Sequence, residues 1–349
     1  MKFSEQHELV LDFVDEFAEK EVAPASLEIE RNGIDRQLVS KLAERGYLGA
    51  VAPEDAGGAA LDETSYLLLL ERLSYHSPSV AYAVFLQNSL AIKMLLSVGR
   101  KDIVRQIATG NALCAVDLAP ILSRKNRETH LQEGHVVGET NMYLADAGRC
   151  ITVAGDAQGQ KLLLCDGFSF KDVRPLGFRG AVYGRVRLSE ETHCEVLTLD
   201  GAEVMRRTLL EASREVAAIA LGICEACSDK TKQYASERKA FGSALLTFQP
   251  IAFELSLNHA RIDALKEYLY RNVAGTLKDG LAAKMLLLEA ALSTARLAMQ
   301  VHGGNGYFEE YQIEKYYRDA MTLSANTSAV NEDLISLSHF ALGRDSARL

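Results

Sequence analysis

Residues 283–301, AKMLLLEAALSTARLAMQV, are apolar on nearly every side when wound at the helical period. Such a helix has no face to give to water, so it belongs in the middle of a bundle or at a subunit interface. Segment 212–234 is Ala-rich with few breakers, and the chain from about 203 onward reads as helical. The first 110 residues have the same texture. Val10, Phe13, Val14 and Phe17 form one apolar stripe, and Leu38, Val39, Leu42 and Ala43 a second that closes near Gly46. PEDAGGAALDE then marks a loop, and TSYLLLLERLSYH and SVAYAVFLQNSLAIKMLLSVG carry wide apolar faces suited to bundle packing.

Between these regions the pattern changes. ALCAV, HVVGET, CITVAG, QKLLLC and YGRVRL are short β-favouring runs punctuated by Gly, Asp and Asn. The expectation is a mainly α protein with a small β-domain: a helical domain over 1–110, a β-barrel or sandwich over 111–202, and a helical bundle over 203–349. There is no internal repeat and no flexible linker.

A chain of 349 residues, 48% hydrophobic and 24% charged, can bury a large core. Its net charge of −9 argues against nucleic acid as a partner. No stretch reaches about 18 uninterrupted apolar residues, so no membrane span is expected. The N-terminus lacks the apolar core of a secretory signal. Six cysteines (114, 150, 165, 194, 224 and 227) are scattered, which is no disulfide framework and makes the cytoplasm the expected compartment. Cys224 and Cys227 form a lone CxxC on a helical pattern and read as small core residues. His193 beside Cys194 falls in an expected turn, and a metal site is not expected there.

Two segments stand out as a pair: ERKAFGSALLTFQ (237–249) and QVHGGNGYFEEYQIEKYYRDA (300–320). In each, a helix breaks at glycine beside polar groups suited to a phosphate or an amide-rich ligand. Arg238 offers a planar fork matched to phosphate. Gly242, Gly303 and Gly304 let backbone N–H groups approach an anion closely. Read singly, the same glycines are helix caps.

Together these segments resemble the C-terminal signatures of the acyl-CoA dehydrogenase family: Arg-x-x-Phe-Gly, then Phe-Gln, then Gln-x-x-Gly-Gly-x-Gly-Tyr closing on Tyr-Arg-Asp-Ala. RGYLGAVAPEDAGGAALDETSYLLLLERLS is similar to the family's N-terminal Gly-Gly loop and helix, and DVRPLGFRGAVYGRVRLSE to the stretch that closes its middle domain. The resemblance implies an FAD flavoprotein of fatty acid metabolism that dehydrogenates an acyl-CoA thioester between Cα and Cβ. It implies electron-transferring flavoprotein or a similar acceptor, and a dimer or tetramer, homo- or hetero-oligomeric. The positions that would hold the ADP half of FAD across a subunit interface are Arg238, Phe241, Gln249, Gln300, Gly303 and Gly304, with Thr327 also among the cofactor contacts. Arg261 falls where the family places a basic residue near the CoA-binding surface.

The departures lie at the chemistry. Where the family carries its base in Glu-Gly-Thr-Ser, this chain reads SANTSAV: Ala325 stands for Glu and Asn326 for Gly, while Thr327 and Ser328 are kept. Alanine cannot abstract a proton. Some branches place the base on an earlier helix. Counting from Lys266 puts that position at Leu277, and the local Lys-Asp-Gly texture puts it at Asp279, the candidate base. AVDLAPILSRKNRETH replaces the usual Thr-Glu-Pro and Gly-Ser-Asp elements, with Asp117 near the usual Thr. The Trp-x-x-Asn element that backs the flavin is missing, and the chain has no Trp. Three readings stay open: an active dehydrogenase with a relocated base, a non-catalytic subunit supplying the ADP grip in trans, and a flavin-free acyl-CoA-binding protein.

Overall fold

The computed structural model describes residues 3–122, 129–132, 135–143, 147–156, 159–327 and 330–341. Helices come first: α1 (Glu5–Phe17), α2 (Ser26–Asn32), α3 (Arg36–Glu44), α4 (Glu63–His76), α5 (Pro78–Phe85), α6 (Lys93–Ser97) and α7 (Lys101–Ala108). The strands are β1 (Cys114–Val116), β2 (His130–Gln132), β3 (His135–Tyr143), β4 (Arg149–Asp156), β5 (Gly159–Asp166), β6 (Ser169–Asp172), β7 (Tyr183–Leu188) and β8 (His193–Thr198), with the short α8 (Ala119–Leu122) after β1. Helices return as α9 (Gly201–Glu211), α10 (Ser213–Glu237), α11 (Gln249–Arg271), α12 (Leu277–His302), α13 (Ile313–Thr327) and α14 (Val330–Ala341). The helix–strand–helix order expected from texture is the observed order.

Contacts gather the chain into two compact units, each discontinuous in sequence. One comprises residues 1–27, 67–78 and 213–349; the other comprises 28–66 and 79–212.

In the first unit, α10 and α12 pack lengthwise on each other, with α11 and α13 against them, as a four-helix bundle. Their inner faces are small and apolar. Ala217, Ala220, Cys224 and Cys227 of α10 and Ala291, Ala295 and Ala298 of α12 are buried. Small residues let the helix axes approach closely. Cys224 and Cys227 are free thiols in this core, and burial pushes Cys227 up to about 12. Ser4 caps α1, whose Val14 and Phe17 are buried. Phe13, placed on the same stripe by periodicity, is exposed instead.

A charged cluster lies inside this unit. Lys266 of α11 donates to Glu71 of α4 at 2.7 Å and to Glu225 of α10 at 2.8 Å. The Tyr270 hydroxyl donates to the other oxygen of Glu71, whose side chain is fully buried. Arg72 reaches Asp15 of α1. Desolvation, then the neighbouring Glu71, push the Glu225 carboxyl up to about 8.

In the second unit the sheet runs β6–β7–β3–β2–β4–β5–β8, with β1 also beside β4. β1 and β2 lie parallel to β4, and the remaining pairs are antiparallel. In β7, Gly184, Val186 and Leu188 are buried while Arg185 and Arg187 face water, the period-two signature of a half-covered sheet. Residues Pro78–Ser97 are long and apolar enough to cross a bilayer, but 89% of that window is buried within the protein, as in a core helix. From this segment Gln87 reaches β1, donating to the Cys114 carbonyl and accepting from its N–H at 3.0 and 2.9 Å. One side-chain amide thus satisfies a strand residue as a neighbouring strand would.

The cysteines, scattered as they are and no disulfide framework by spacing, nonetheless include one bonded pair. Cys165 and Cys194 form a disulfide. They stand opposite each other in the β5–β8 register, a juxtaposition that a spacing of 29 residues does not reveal. His193 and Cys194 lie in β8, not in a turn.

Candidate functional site

The two C-terminal signatures meet at the end of α10. Tyr234 lies four residues before Arg238, and its carbonyl accepts from the Arg238 N–H. Its ring stacks on His302 with centroids 4.1 Å apart. Its hydroxyl accepts from the Asn305 amide at 3.0 Å, while the His302 carbonyl lies 3.4 Å away as an acceptor. One aromatic residue therefore ties ERKAFG to QVHGGNGY. Burial lowers the His302 pKa, and its Nδ1 faces the Ala298 carbonyl.

After Arg238 the chain forms a small antiparallel hairpin, β9 (Lys239–Ala240) with β10 (Ser243–Ala244), closed by Leu245 N–H donating to the Arg238 carbonyl. At its tip Phe241 has φ +51° and is 99% exposed, and Gly242 follows at φ +84°. Gly303 ends α12 at φ +57°, and nothing lies within 4 Å of where a Cβ on Gly242, Gly303 or Gly304 would stand. Among the described residues, the Arg238 guanidinium and the amides of Gln249 and Gln300 have no hydrogen-bond or ion-pair partner. All three side chains are exposed. A free guanidinium, two free amides and open glycine backbone form a set of donors with no acceptor among the described residues. That set suits an extended ligand bearing phosphate and amide-rich groups.

The other expected positions are engaged elsewhere. Arg261 is exposed on α11 and contacts Glu289 and Ser293 of α12, each at 3.2 Å. Thr327 is fully buried, and its hydroxyl donates to the Leu323 carbonyl. That bond uses the donor of the hydroxyl within α13 and leaves its acceptor lone pairs. Ala325 is exposed near the end of α13. Ser328 lies outside the described residues.

Asp279, the candidate base, is engaged in a helix cap. It is the N3 residue of a capping box at the start of α12, and one carboxylate oxygen accepts from both the N–H and the hydroxyl of Thr276, at 2.8 and 2.7 Å. These hydrogen bonds favour the charged form and hold its pKa below the ordinary aspartate value. A general base at neutral pH needs the opposite shift. The Lys-Asp-Gly texture that suggested a base is the sequence of a helix start.

Asp117 faces inward. Its carboxylate is fully buried and accepts from Thr140 and Thr152 at 2.8 Å and from the Ala119 N–H at 3.1 Å. Burial raises its pKa against the pull of those bonds. It joins the end of β1 to β3 and β4 and presents nothing to a ligand.

Sequence reasoning passed over Tyr234, His302 and Lys284. Lys284 is buried in α12, donates to the Thr327 carbonyl at 2.6 Å and pairs with Asp333 of α14 at 2.9 Å, which fixes the end of α13 that carries Ala325. A lysine inside the apolar run 283–301 was the visible signal.

Comparison with known proteins agrees with this geometry. The family model of the acyl-CoA dehydrogenase N-terminal domain matches residues 4–110, and that of the C-terminal domain residues 200–327. The chain is 26% identical to the 3-(aryl)acrylate reductase of Clostridium sporogenes, across 96% of this chain and 99% of the relative. It is also 26% identical to the caffeyl-CoA reductase-Etf complex subunit CarC of Acetobacterium woodii, across 96% and 98%. The solved butyryl-CoA dehydrogenase of Megasphaera elsdenii superposes with a TM-score of 0.87 at 23% identity, covering 98% of this chain and 99% of that one.

Proposed function

The chain belongs to the acyl-CoA dehydrogenase family, and on that premise we propose that it is an FAD-dependent oxidoreductase acting across the Cα–Cβ bond of an acyl-CoA thioester. The observation that carries this reading is the donor set at the end of α10: Arg238, Gln249 and Gln300 free of partners beside open backbone at Gly242, Gly303 and Gly304. Those residues fit the ADP half of FAD. Hydride acceptance from the β-carbon is the chemistry that FAD supplies when bound. Arg238 would neutralise pyrophosphate, the glutamines would hold the adenosine end, and Phe241 would cover it. Because this set stands on the outside of its own chain, we take its ligand to be shared with a second subunit. The flavoprotein complex named for the Acetobacterium relative supports an electron-transferring flavoprotein as the redox partner.

A second reading has its own observation. Position 325 carries no carboxylate, and Asp279 is spent on a helix cap. This favours a role as the supporting subunit of a hetero-oligomer, in which a partner brings the base and this chain brings the ADP grip.

The test is flavin content and turnover of the purified chain, alone and with a full-length family member from the same source. Arg238→Ala should remove a charge-assisted contact of roughly 1.5–3 kcal/mol, about ten- to a hundredfold in FAD affinity. Unchanged affinity would sink the assignment of the grip. Turnover of an acyl-CoA panel by the chain alone selects the first reading. Turnover only with the partner selects the second.

A further inference from the structure

Cys150, Cys165 and Cys194 stand in one row across three adjacent strands. Cys150 of β4 is the register partner of Cys165 in β5, and Cys165 is in turn the register partner of Cys194 in β8. Directly opposed residues project from the same face of a sheet, with Cβ atoms about 4.5–5.5 Å apart. The middle residue, Cys165, is joined to Cys194 as a disulfide, and Cys150 is a free thiol. Cys150 and Cys165 are wholly buried, whereas Cys194 sits partly exposed in the strand at the sheet's edge.

We infer that this row is a thiol–disulfide exchange site, in which Cys150 displaces Cys194 from Cys165 and so presents Cys194 as a thiol open to small disulfides. Displacement at sulfur proceeds in line, with the attacking thiolate opposite the leaving sulfur. The row provides that order, because Cys150 flanks Cys165 on the side away from Cys194. A bond forms between the sulfurs of Cys150 and Cys165 while the Cys165–Cys194 bond breaks, and its electron pair leaves on Cys194. Cys150 gives up one proton and Cys194 takes one. The number of disulfides is conserved, so the step needs no oxidant or reductant. The released Cys194 can then exchange with a low-molecular-weight disulfide, forming a mixed disulfide and one free small thiol.

The step also has a built-in brake. The attacking species is the thiolate. Burial, with the Cys114 thiol, the Asp117 carboxylate and the Asp166 carboxylate around it, holds the Cys150 thiol well above its ordinary value. Exchange should therefore be slow at neutral pH and accelerate as the pH rises. Nothing in this depends on flavin binding, so the site stands or falls apart from the proposed oxidoreductase function.

The probe is the aromatic disulfide dithionitrobenzoate, applied to the native full-length chain between pH 7 and pH 9 and followed by non-reducing peptide mapping. Air-purified protein should hold the Cys165–Cys194 link and expose no reactive thiol at first. With time at the higher pH, labelling should rise to one thiol per chain, on Cys194, as a Cys150–Cys165 peptide pair appears. Cys150→Ser should stay unlabelled with its original disulfide intact. Cys194→Ser, a change on the exposed edge, should instead trap the Cys150–Cys165 link on oxidation, with circular dichroism confirming that it folds. The wild-type arm needs no substitution. The inference is overturned if the purified protein lacks the original disulfide, if labelling falls elsewhere or persists in Cys150→Ser, or if folded Cys194→Ser leaves Cys150 and Cys165 as thiols.

Discussion

Phe241 holds a left-handed backbone conformation at 99% exposure, a strain of roughly 1–3 kcal/mol set against only an edge contact with the Phe248 ring, 6.5 Å between centroids. A residue kept under such terms points to a contact outside the chain. Phe241→Gly should accordingly leave the thermal midpoint unchanged or raise it, by up to about 1 kcal/mol of stability, while FAD binding weakens. A midpoint that falls along with binding would show that Phe241 serves the fold. At this scale the sequence was legible where a residue's chemistry is unusual for its surroundings, as with Arg238 between two glycine breaks. It was silent where local bonding sets a side chain's direction. The Thr327 hydroxyl turns back to the Leu323 carbonyl, and the Asp117 carboxylate turns in to two threonines. Neither direction follows from residue type.

The start of α12 shows how one element can imitate a site. Thr276 and Asp279 satisfy each other's end of the helix reciprocally, which is what a capping box does. Asp279→Asn should therefore weaken the cap and destabilise the fold by about 0.5–1 kcal/mol, while turnover, whether by this chain alone or with a partner, stays within twofold. A rate loss of about a hundredfold or more without loss of stability would restore Asp279 as a base. The elements themselves were readable from period: β7 alternates as its sequence alternates, and α12 buries its Ala-rich face, although Leu286, Glu289 and Arg296 on the opposite face stay exposed. What period could not convey is pairing. The Gln87 amide standing in for a strand beside Cys114, and the register that opposes Cys165 to Cys194, arise between segments well separated along the chain.

For the molecule as a whole, the cluster around Lys266 links four helices through charges taken out of water. Glu225 has a folded pKa raised above that of an unfolded glutamate, so its contribution to stability is fully present below about pH 4.5 and is lost as the pH rises through about 8. Wild-type thermal stability should fall across that window, and Glu225→Gln should flatten the fall; an unchanged slope would remove Glu225 as its source. Lys266→Met should cost far more, about 3–5 kcal/mol, because the fully buried Glu71 loses its counter-charge. If chemical denaturation shows a loss under about 1 kcal/mol, the cluster is solvated in practice. The same pairing has a bearing on how the protein is made. Lys266 follows Glu71 by 195 residues, and ribosomes add roughly 5–20 residues per second. Glu71 is therefore out of the ribosome for roughly 10–40 seconds before Lys266 emerges, and Asp15 for longer still. Throughout that interval the N-terminal helices of this unit have no bundle to join, and the nascent chain must carry them unburied while the whole β-region is translated.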